Sequence, residues 1–562
     1  MKIYSDILDK NQKSKLIILS LFLLVGMIIE VLSLGVLLPL ISIIVSKPEE
    51  NIYYSTIVDF FSYLNINQEL ILPFLSLIIL SIYTFKSLYL IYLNYRKNRF
   101  ISNLTKDVSN KIYKSKIYSS YSKHVKEDSA KAIKNLQSDL IGFHIHIEAY
   151  ISIIIESLLA ASIIVFIIFI EPFTFLLSMI FFGSLSIIYY NSIKSKMAMY
   201  GYANLDLDLE RNKIILESFH GMKDIKVLNI ADKYFTDFKI NAEQVANIKT
   251  KYATVVQFPR FIFETLAIYG LFFIMAILFY NDAAPNEVIE ILGIFTIAIL
   301  KLIPSINKLM QNIQNIKYSS PALESIKNGL SSLSIENIKQ GFINMNSNLE
   351  IKNLYFSHED KGPLLDNVNI KILKGEIIGI SGESGSGKST LADILLGLYK
   401  PKKGQLYLDG KKINFGDVKI GYVPQKVFFK NSSFRENIAF GEKLEEINDD
   451  QITNSLEMSQ LDKFVKSLEK KEDTLIGENG LMISGGQQQR IGIARALYRD
   501  PEILILDEST NSLDKETEKN FINSLNLLKR KKTMILITHD KNNLRICDRK
   551  FIIKNQKLIE EK

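Results

Sequence analysis

Residues 382–389 read Gly-Glu-Ser-Gly-Ser-Gly-Lys-Ser, a spacing of glycines, one lysine and one hydroxyl that suits the binding of phosphate. Glycines allow successive backbone N–H groups to converge on anionic oxygens. The helical run LADILLGL that follows adds the positive end of a helix dipole. The cradle is expected from Gly382, Glu383, Ser384, Gly385, Ser386, Gly387, Lys388, Ser389 and Thr390. Within it, Lys388 can reach the β and γ phosphates of ATP, and the Ser389 hydroxyl can ligate Mg²⁺. Farther along, ILILDE ends an apolar run in two carboxylates. Asp507 there suits a Mg²⁺ ligand, and Glu508 suits a general base that polarises water. Gln425 in GYVPQ and His539 in ITHD follow other strand-like runs, and Ser484, Gly485, Gly486 and Gln487 stand in ISGGQQQR at an expected helix start. Taken singly, each of these has an ordinary explanation: a turn, a structural histidine, a loop glutamine, a helix cap.

Elements must deliver these groups to one place. The P-loop pattern follows the apolar run Ile377–Ile380 and precedes a helix, which is the strand–loop–helix context it requires. Strand-like runs and Gly-rich turns from Leu349 onward predict an α/β domain over 349–562. A polar linker is expected over 321–348. Residues 1–320 differ in character, with six long apolar stretches near Leu16–Ser46, Leu70–Tyr95, Ile141–Ile170, Pro172–Met197, Val255–Tyr280 and Val288–Met310. Each reaches the roughly 20 residues a helix needs to cross hydrocarbon. The first is too long for a signal peptide and lacks a small-residue cleavage site.

Composition agrees with a chain that is half membrane and half water-soluble. Of 562 residues, 47% are hydrophobic, yet 23% are charged. The single cysteine, Cys547, excludes an intrachain disulfide and a Cys-rich metal site. Bases cluster before the first stretch (Lys10, Lys13, Lys15), after the second (Arg96, Lys97, Arg99, Lys106) and after the fourth (Lys194, Lys196). The alternate connections hold few bases, so both termini and the long loops at about 96–140 and 198–254 are expected in the cytoplasm. That placement accounts for part of the net charge of +8, and no nucleic-acid partner is expected. Helical spacing in those loops, as in Ile214, Ile215, Phe219 and Met222, predicts helices that project beyond the bilayer. Ile57, Phe60, Phe61 and Leu64 form an amphipathic stripe that suits either an outer-surface helix or a packed loop helix.

In the order P-loop, Gln425, SGGQ, LDE, His539, the motifs resemble the ATPase domain of ABC transporters, and the resemblance covers Leu349 to the C-terminus. It implies ATP and Mg²⁺ as ligands, with Lys388 and Ser389 as Walker A contacts, Asp507 as the Walker B acid, Glu508 as base and His539 as the switch histidine. It implies that Gln425 senses Mg²⁺, with Ser389, Gln425 and Asp507 around the metal. Ser484–Gln487 resembles the signature that binds ATP held by a second subunit, so a homodimer with two shared sites is implied. Asp514 in NSLD resembles the D-loop acid, and Glu478 in GENG a loop that contacts the membrane domain. His358 stands where the family stacks adenine on tyrosine, Ile483 replaces the usual signature Leu and Asn511 the usual D-loop Ala.

Six helices ahead of the ATPase resemble the type IV exporter: a membrane all-α domain fused to a cytoplasmic α/β P-loop domain, placed in a bacterial inner membrane. IIEVLSLGVLLPLIS, QFPRFIFETL and ILKLIPSINKLMQNI resemble the bacterial lipid-linked oligosaccharide flippases of N-glycosylation. Lys86, Arg260, Lys301 and Lys308 lie in or near apolar stretches, where charge is costly and usually faces a cavity or a partner. The resemblance makes them ligands of a polyprenyl diphosphate; pairing with Glu264 for Arg260, or snorkelling for Arg260 and Lys308, is the alternative for those two. Export of a lipid or hydrophobic drug, and an ABC chain that regulates a partner, stay open as alternatives.

Overall fold

The computed structural model describes residues 9–36, 63, 71–170, 172–280, 285–331, 342–358, 362–477, 480, 482–508, 515–540 and 542–561. The amphipathic stripe at 57–64, the end of the first expected span, and Glu478, Asn511 and Asp514 lie outside the described residues. The chain divides into two units, one of residues 1–119 and 126–335, the other of 120–125 and 336–562.

The first unit is helical. Its long helices are α1 (Lys10–Gly35), α2 (Ile71–Ile117), α5 (Ser138–Ile170), α6 (Pro172–His220), α8 (Ala231–Tyr280) and α9 (Pro285–Ser331). Short helices α4 (Ser129–Leu136) and α7 (Met222–Val227) occupy bends in this unit, whereas α3 (Tyr121–Lys126), between α2 and α4 in the chain, belongs through residue 125 to the second unit. Four stretches of described residues are long and apolar enough to cross a membrane: 10–30, 73–117, 129–165 and 231–280. The expected fourth and sixth spans fall within α6 and α9, helices of 49 and 47 residues. Helices of this length follow because the polar loops keep apolar residues at helical spacing, and the helices continue through Pro259 of α8 and Pro304 and Pro321 of α9, each of which lacks the N–H of one ladder bond. For the same reason α9 runs on to Ser331, into the stretch read from sequence as linker.

Helices α1 and α2 lie antiparallel, joined by Gln12 to Asp107 at 2.9 Å, Tyr89 to the Phe22 carbonyl at 2.7 Å and Lys86 to the Ser33 hydroxyl at 2.9 Å. Lys86 also meets Glu30 at 2.7 Å, with both side chains nearly fully enclosed. Leu19, Leu23, Leu93, Ile101, Leu104, Phe143, Ile147 and Ile326 form the apolar centre between α1, α2, α5 and α9. Helix α6 presses on α9 at Gly201, where any Cβ would collide with the Tyr318 carbonyl. Glycine is therefore required there by close approach.

In the second unit, β1 (Asn348–Phe356), β2 (Leu365–Leu373), β4 (Lys403–Leu408) and β5 (Lys411–Ile413) form a four-stranded antiparallel sheet of order β2-β1-β4-β5, and β10 (Lys557–Glu561) edges a six-stranded sheet of order β10-β9-β3-β8-β7-β6. The strands that matter for the site are β3 (Ile377–Gly382), β6 (Ile420–Val423), β7 (Ile503–Asp507), β8 (Thr533–Ile537) and β9 (Arg549–Lys554), all parallel. Every residue of β7 and β8 is buried, which explains their unbroken apolar sequences. The parallel arrangement sends the C-terminal ends of β3, β7 and β8 to one edge, where such sheets bind ligands.

A buried ion pair broken on one side leaves an ammonium that desolvation penalises. Glu30→Ala is expected to lower stability by about 3 kcal/mol. The exposed Arg260–Glu264 pair contributes under about 1 kcal/mol. Thermal unfolding of the detergent-solubilised chain checks this: Glu264→Ala should shift the midpoint several-fold less than Glu30→Ala.

Candidate active site

The phosphate cradle is built from backbone geometry. Gly382, Gly385 and Gly387 adopt positive φ of 151°, 79° and 102°, and helix α10 (Lys388–Leu395) starts directly after them. A Cβ at Gly382 would come within 2.7 Å of Ser386 Oγ, and one at Gly387 within 3.1 Å of Leu364. Lys388 is nearly fully buried and donates to the Gly382 and Glu383 carbonyls at 3.1 and 2.9 Å. Burial holds its pKa down, while the charges of Glu508 and Asp507 act to raise it. Among the described residues, the buried Ser386 hydroxyl has no hydrogen-bond partner. A loop of positive-φ glycines with an idle hydroxyl and an enclosed ammonium fits a phosphate group.

Asp507 ends β7, with its side chain buried. Burial raises its pKa, while hydrogen bonds from Ser389 and Tyr422 oppose the rise. Tyr422 donates to Asp507 Oδ2 at 3.3 Å, and Oδ1 is buried with no partner among the described residues. An idle carboxylate oxygen beside a serine hydroxyl is an oxygen donor set of the kind a hard divalent cation takes.

Glu508, the next residue, sits at φ 46°, in the left-handed region. Its N–H donates to the Ile537 carbonyl at 2.9 Å, which fixes it against the end of β8. Gln425 Nε2 donates to Glu508 Oε2 at 2.9 Å, and His539 Nε2 lies 2.6 Å from Oε1. Gln489 holds the Gln425 backbone carbonyl at 2.8 Å. Lys388, Ser389, Asp507, Glu508, Gln425 and His539 are thus gathered at one sheet edge.

Ser484–Gln487 is arranged separately, at the start of α11 (Gly485–Tyr498). Ser484 and Gln487 close a capping box on each other, at 3.3 and 2.9 Å. Arg495 anchors that helix by donating to the Asn437 and Phe428 carbonyls at 2.8 Å each, and burial lowers its pKa to about 10. His358 stands edge-on to Phe356 at 5.0 Å and to Tyr399 at 5.6 Å. Tyr399 also meets Tyr121 of α3 at 5.6 Å within the second unit.

Sequence reasoning missed Tyr399, Gln489, Tyr422 and Asp393. Only Tyr399, eleven residues beyond Lys388 in the chain, carries a local signal, as an aromatic just past the P-loop helix. Asp393, on α10, has its pKa raised to about 6 by burial and by Asp507.

Three of the four basic residues of the membrane half each meet a carboxylate. Lys86 pairs with Glu30, Arg260 with Glu264 at 2.8 Å, and Lys308 with Glu156 at 3.1 Å. The Lys301 side chain lies outside the described residues.

The charged form of Asp393 is penalised in the folded state only. Folding therefore gains stability as pH falls from about 6 toward the ordinary carboxylate range, and that penalty is fully present above pH 6. Asp393→Asn is expected to raise the thermal midpoint by about 3 °C at neutral pH and to change little in acid, which a pair of melting curves tests.

Comparison with known proteins follows the same division. Residues 365–511 match the family model described as ABC transporter. The chain is 37% identical over 211 residues to the ATP-dependent lipid A-core flippase of Idiomarina loihiensis, covering 36% of each protein. It is 37% identical over 219 residues to the leukotoxin translocation ATP-binding protein LktB of Mannheimia glucosida, 38% of this chain and 31% of that one. With the heterocyst differentiation ATP-binding protein HepA of Nostoc sp. it shares 30% over 275 residues, 48% and 45% of the two. The aligned stretch therefore spans between about a third and a half of these curated relatives. Among solved structures, a bacterial Atm1-family ABC exporter with ATP bound superposes with a TM-score of 0.78 at 18% identity, over 98% of this chain and 95% of that one. Residues 365–511 thus carry the sequence pattern of the ABC transporter family, and the whole chain has the fold of that exporter.

Proposed function

We propose that two copies of this chain form an ATP-driven exporter or flippase in a bacterial inner membrane, with both termini and the ATPase domains in the cytoplasm. The observation that carries this reading is the Glu508 carboxylate, held by Gln425 and His539 beside Asp507 and Lys388. In the bound state, Lys388 exchanges its carbonyl partners for the β and γ phosphates of ATP. Ser389, Asp507 and Gln425 would hold Mg²⁺, which supplies charge neutralisation on the phosphate oxygens. Glu508 accepts a proton from the attacking water as the water oxygen bonds to the γ phosphorus and ADP departs. For this, one Glu508 oxygen must be released from its loop partner. His539, once released, can donate to the γ phosphate. His358 and Tyr399 offer ring surface for the adenine.

The signature residues lie apart from the cradle and satisfy each other, so they suit the site of a second copy. A two-fold pair then builds two complete sites. The ATP-driven closing and opening of that pair is carried to the membrane by helices that extend past it.

For the cargo, we propose a polyprenyl-diphosphate-linked oligosaccharide moved from the inner to the outer leaflet, with Lys86, Arg260, Lys301 and Lys308 as its basic contacts. The carboxylates beside Lys86, Arg260 and Lys308 favour a second reading, export of a lipid or hydrophobic drug, because they neutralise the cations. Relatives bearing the names lipid A-core flippase and multidrug resistance protein support that reading as well.

In proteoliposomes, Glu508→Gln is expected to cut ATP hydrolysis by at least about 100-fold while ATP binding persists. A labelled polyprenyl-diphosphate glycan should cross the bilayer only with ATP and only in the wild type. Lys301→Glu with Lys308→Glu should abolish that movement. Robust hydrolysis with no glycan movement transfers the assignment to lipid or drug export.

A further inference from the structure

The antiparallel pair α1–α2 lines an open cavity of about 340 Å³ that lies outside the nucleotide site and contains none of the proposed cargo contacts. Lys15, Arg96 and Arg99 line it, with the amide of Asn103. Asp107 is the single carboxylate on its wall, and that group already accepts from Gln12 at 2.9 Å and meets Lys106 at 3.5 Å. The three cations are differently placed. Arg96 lies over the Phe22 and Tyr92 rings at 5.9 and 6.0 Å. Arg99 donates to the Tyr95 hydroxyl at 3.2 Å, and its guanidinium lies 5.9 Å from that ring. Among the described residues no carboxylate pairs with Lys15, Arg96 or Arg99. This contrasts with Lys86, Arg260 and Lys308, each of which has one.

Guanidinium groups packed on aromatic rings are pre-positioned, with N–H donors left for a planar or tetrahedral anion. Leu19 and Phe22 form the apolar side of the same cavity. From there an apolar surface continues along both helices through Ile18, Leu21 and Val25 of α1 and Leu88, Ile91 and Tyr92 of α2, all exposed. The cavity therefore joins a cationic pocket to an apolar track. A free phosphate fills only the first of these, whereas a lipid fills both.

We infer that this cavity binds the phosphate headgroup of an anionic glycerophospholipid, with its acyl chains along α1 and α2. The inference rests on the reading of these helices as membrane-spanning. It is independent of what the protein transports, and a resident lipid there fastens the first helix to the second at the level where apolar surface gives way to basic.

The test is native mass spectrometry of the full chain released from bilayers of phosphatidylcholine and phosphatidylglycerol in equal amounts. The wild type is expected to retain phosphatidylglycerol over phosphatidylcholine by about tenfold. Arg96→Gln with Arg99→Gln should bring the two lipids near parity. Lys194→Gln with Lys196→Gln, which removes the same charge from another helix, should leave the preference in place. Equal loss in both double variants would overturn the site in favour of general surface charge. Displacement of the lipid by excess inorganic phosphate would overturn it in favour of a free-anion pocket. Should the arginine variant fail to fold, Lys15→Gln alone is expected to lower the preference about threefold, and an unchanged preference would refute the proposal.

Discussion

The chemistry of the second unit depends on a carboxylate held where water cannot reach it. Asp507 closes a strand with no exposed side chain, so its charge is tolerated only while Ser389, Tyr422 and Lys388 surround it. The same constraint sets its neighbours. Asp393 is pushed toward neutrality by the proximity, Tyr422 is held protonated, and Lys388 is drawn into a space that would otherwise reject an ammonium. Ser389, Tyr422 and Lys388 make the burial of Asp507 tolerable, whereas Asp507 adds to the penalty on Asp393. A parallel sheet is well suited to assembling such a group, because adjacent strands release their following loops on one edge.

Glu508 adds a second layer of dependence. Its left-handed backbone is sparsely populated for a side-chain-bearing residue and persists because the β8 end and two loop side chains hold it. A residue so constrained presents its carboxylate in one direction. Strain of this kind is tolerated where orientation matters, which agrees with the role proposed for it.

The nucleotide half was legible because its motifs are local. The P-loop, the LDE strand end and ITHD each declare their backbone context within a few residues, and strand burial explains the apolar runs between them. What stayed hidden is relational. Gln489 reaches Gln425 across 64 residues, and nothing near either one signals it. The membrane half divides in the same way. The Arg260–Glu264 pair is one helical turn long and could be foreseen, whereas Glu30 finds Lys86 only through the register of α1 on α2. Apolar periodicity gives the number and length of helices but not their axial offset, and offset decides which charges meet. The early end expected for the last long helix has a related cause, since polarity at its surface was read as linker while its spacing stayed helical.

That offset has a consequence for motion. The α1–α2 pair is fastened at Gln12–Asp107, at Phe22–Tyr89 and at Ser33–Lys86, so the outermost fastenings are separated on α1 by 21 residues, about 30 Å of helix. A ratchet by one turn would have to undo all three together, including one in hydrocarbon where no water stands ready to replace the lost partner. Sliding between these two helices is therefore the least available of their movements. In any change of shape of the helical unit, α1 and α2 travel as one rigid strut, and the hinges of such a movement must be sought in its other helices.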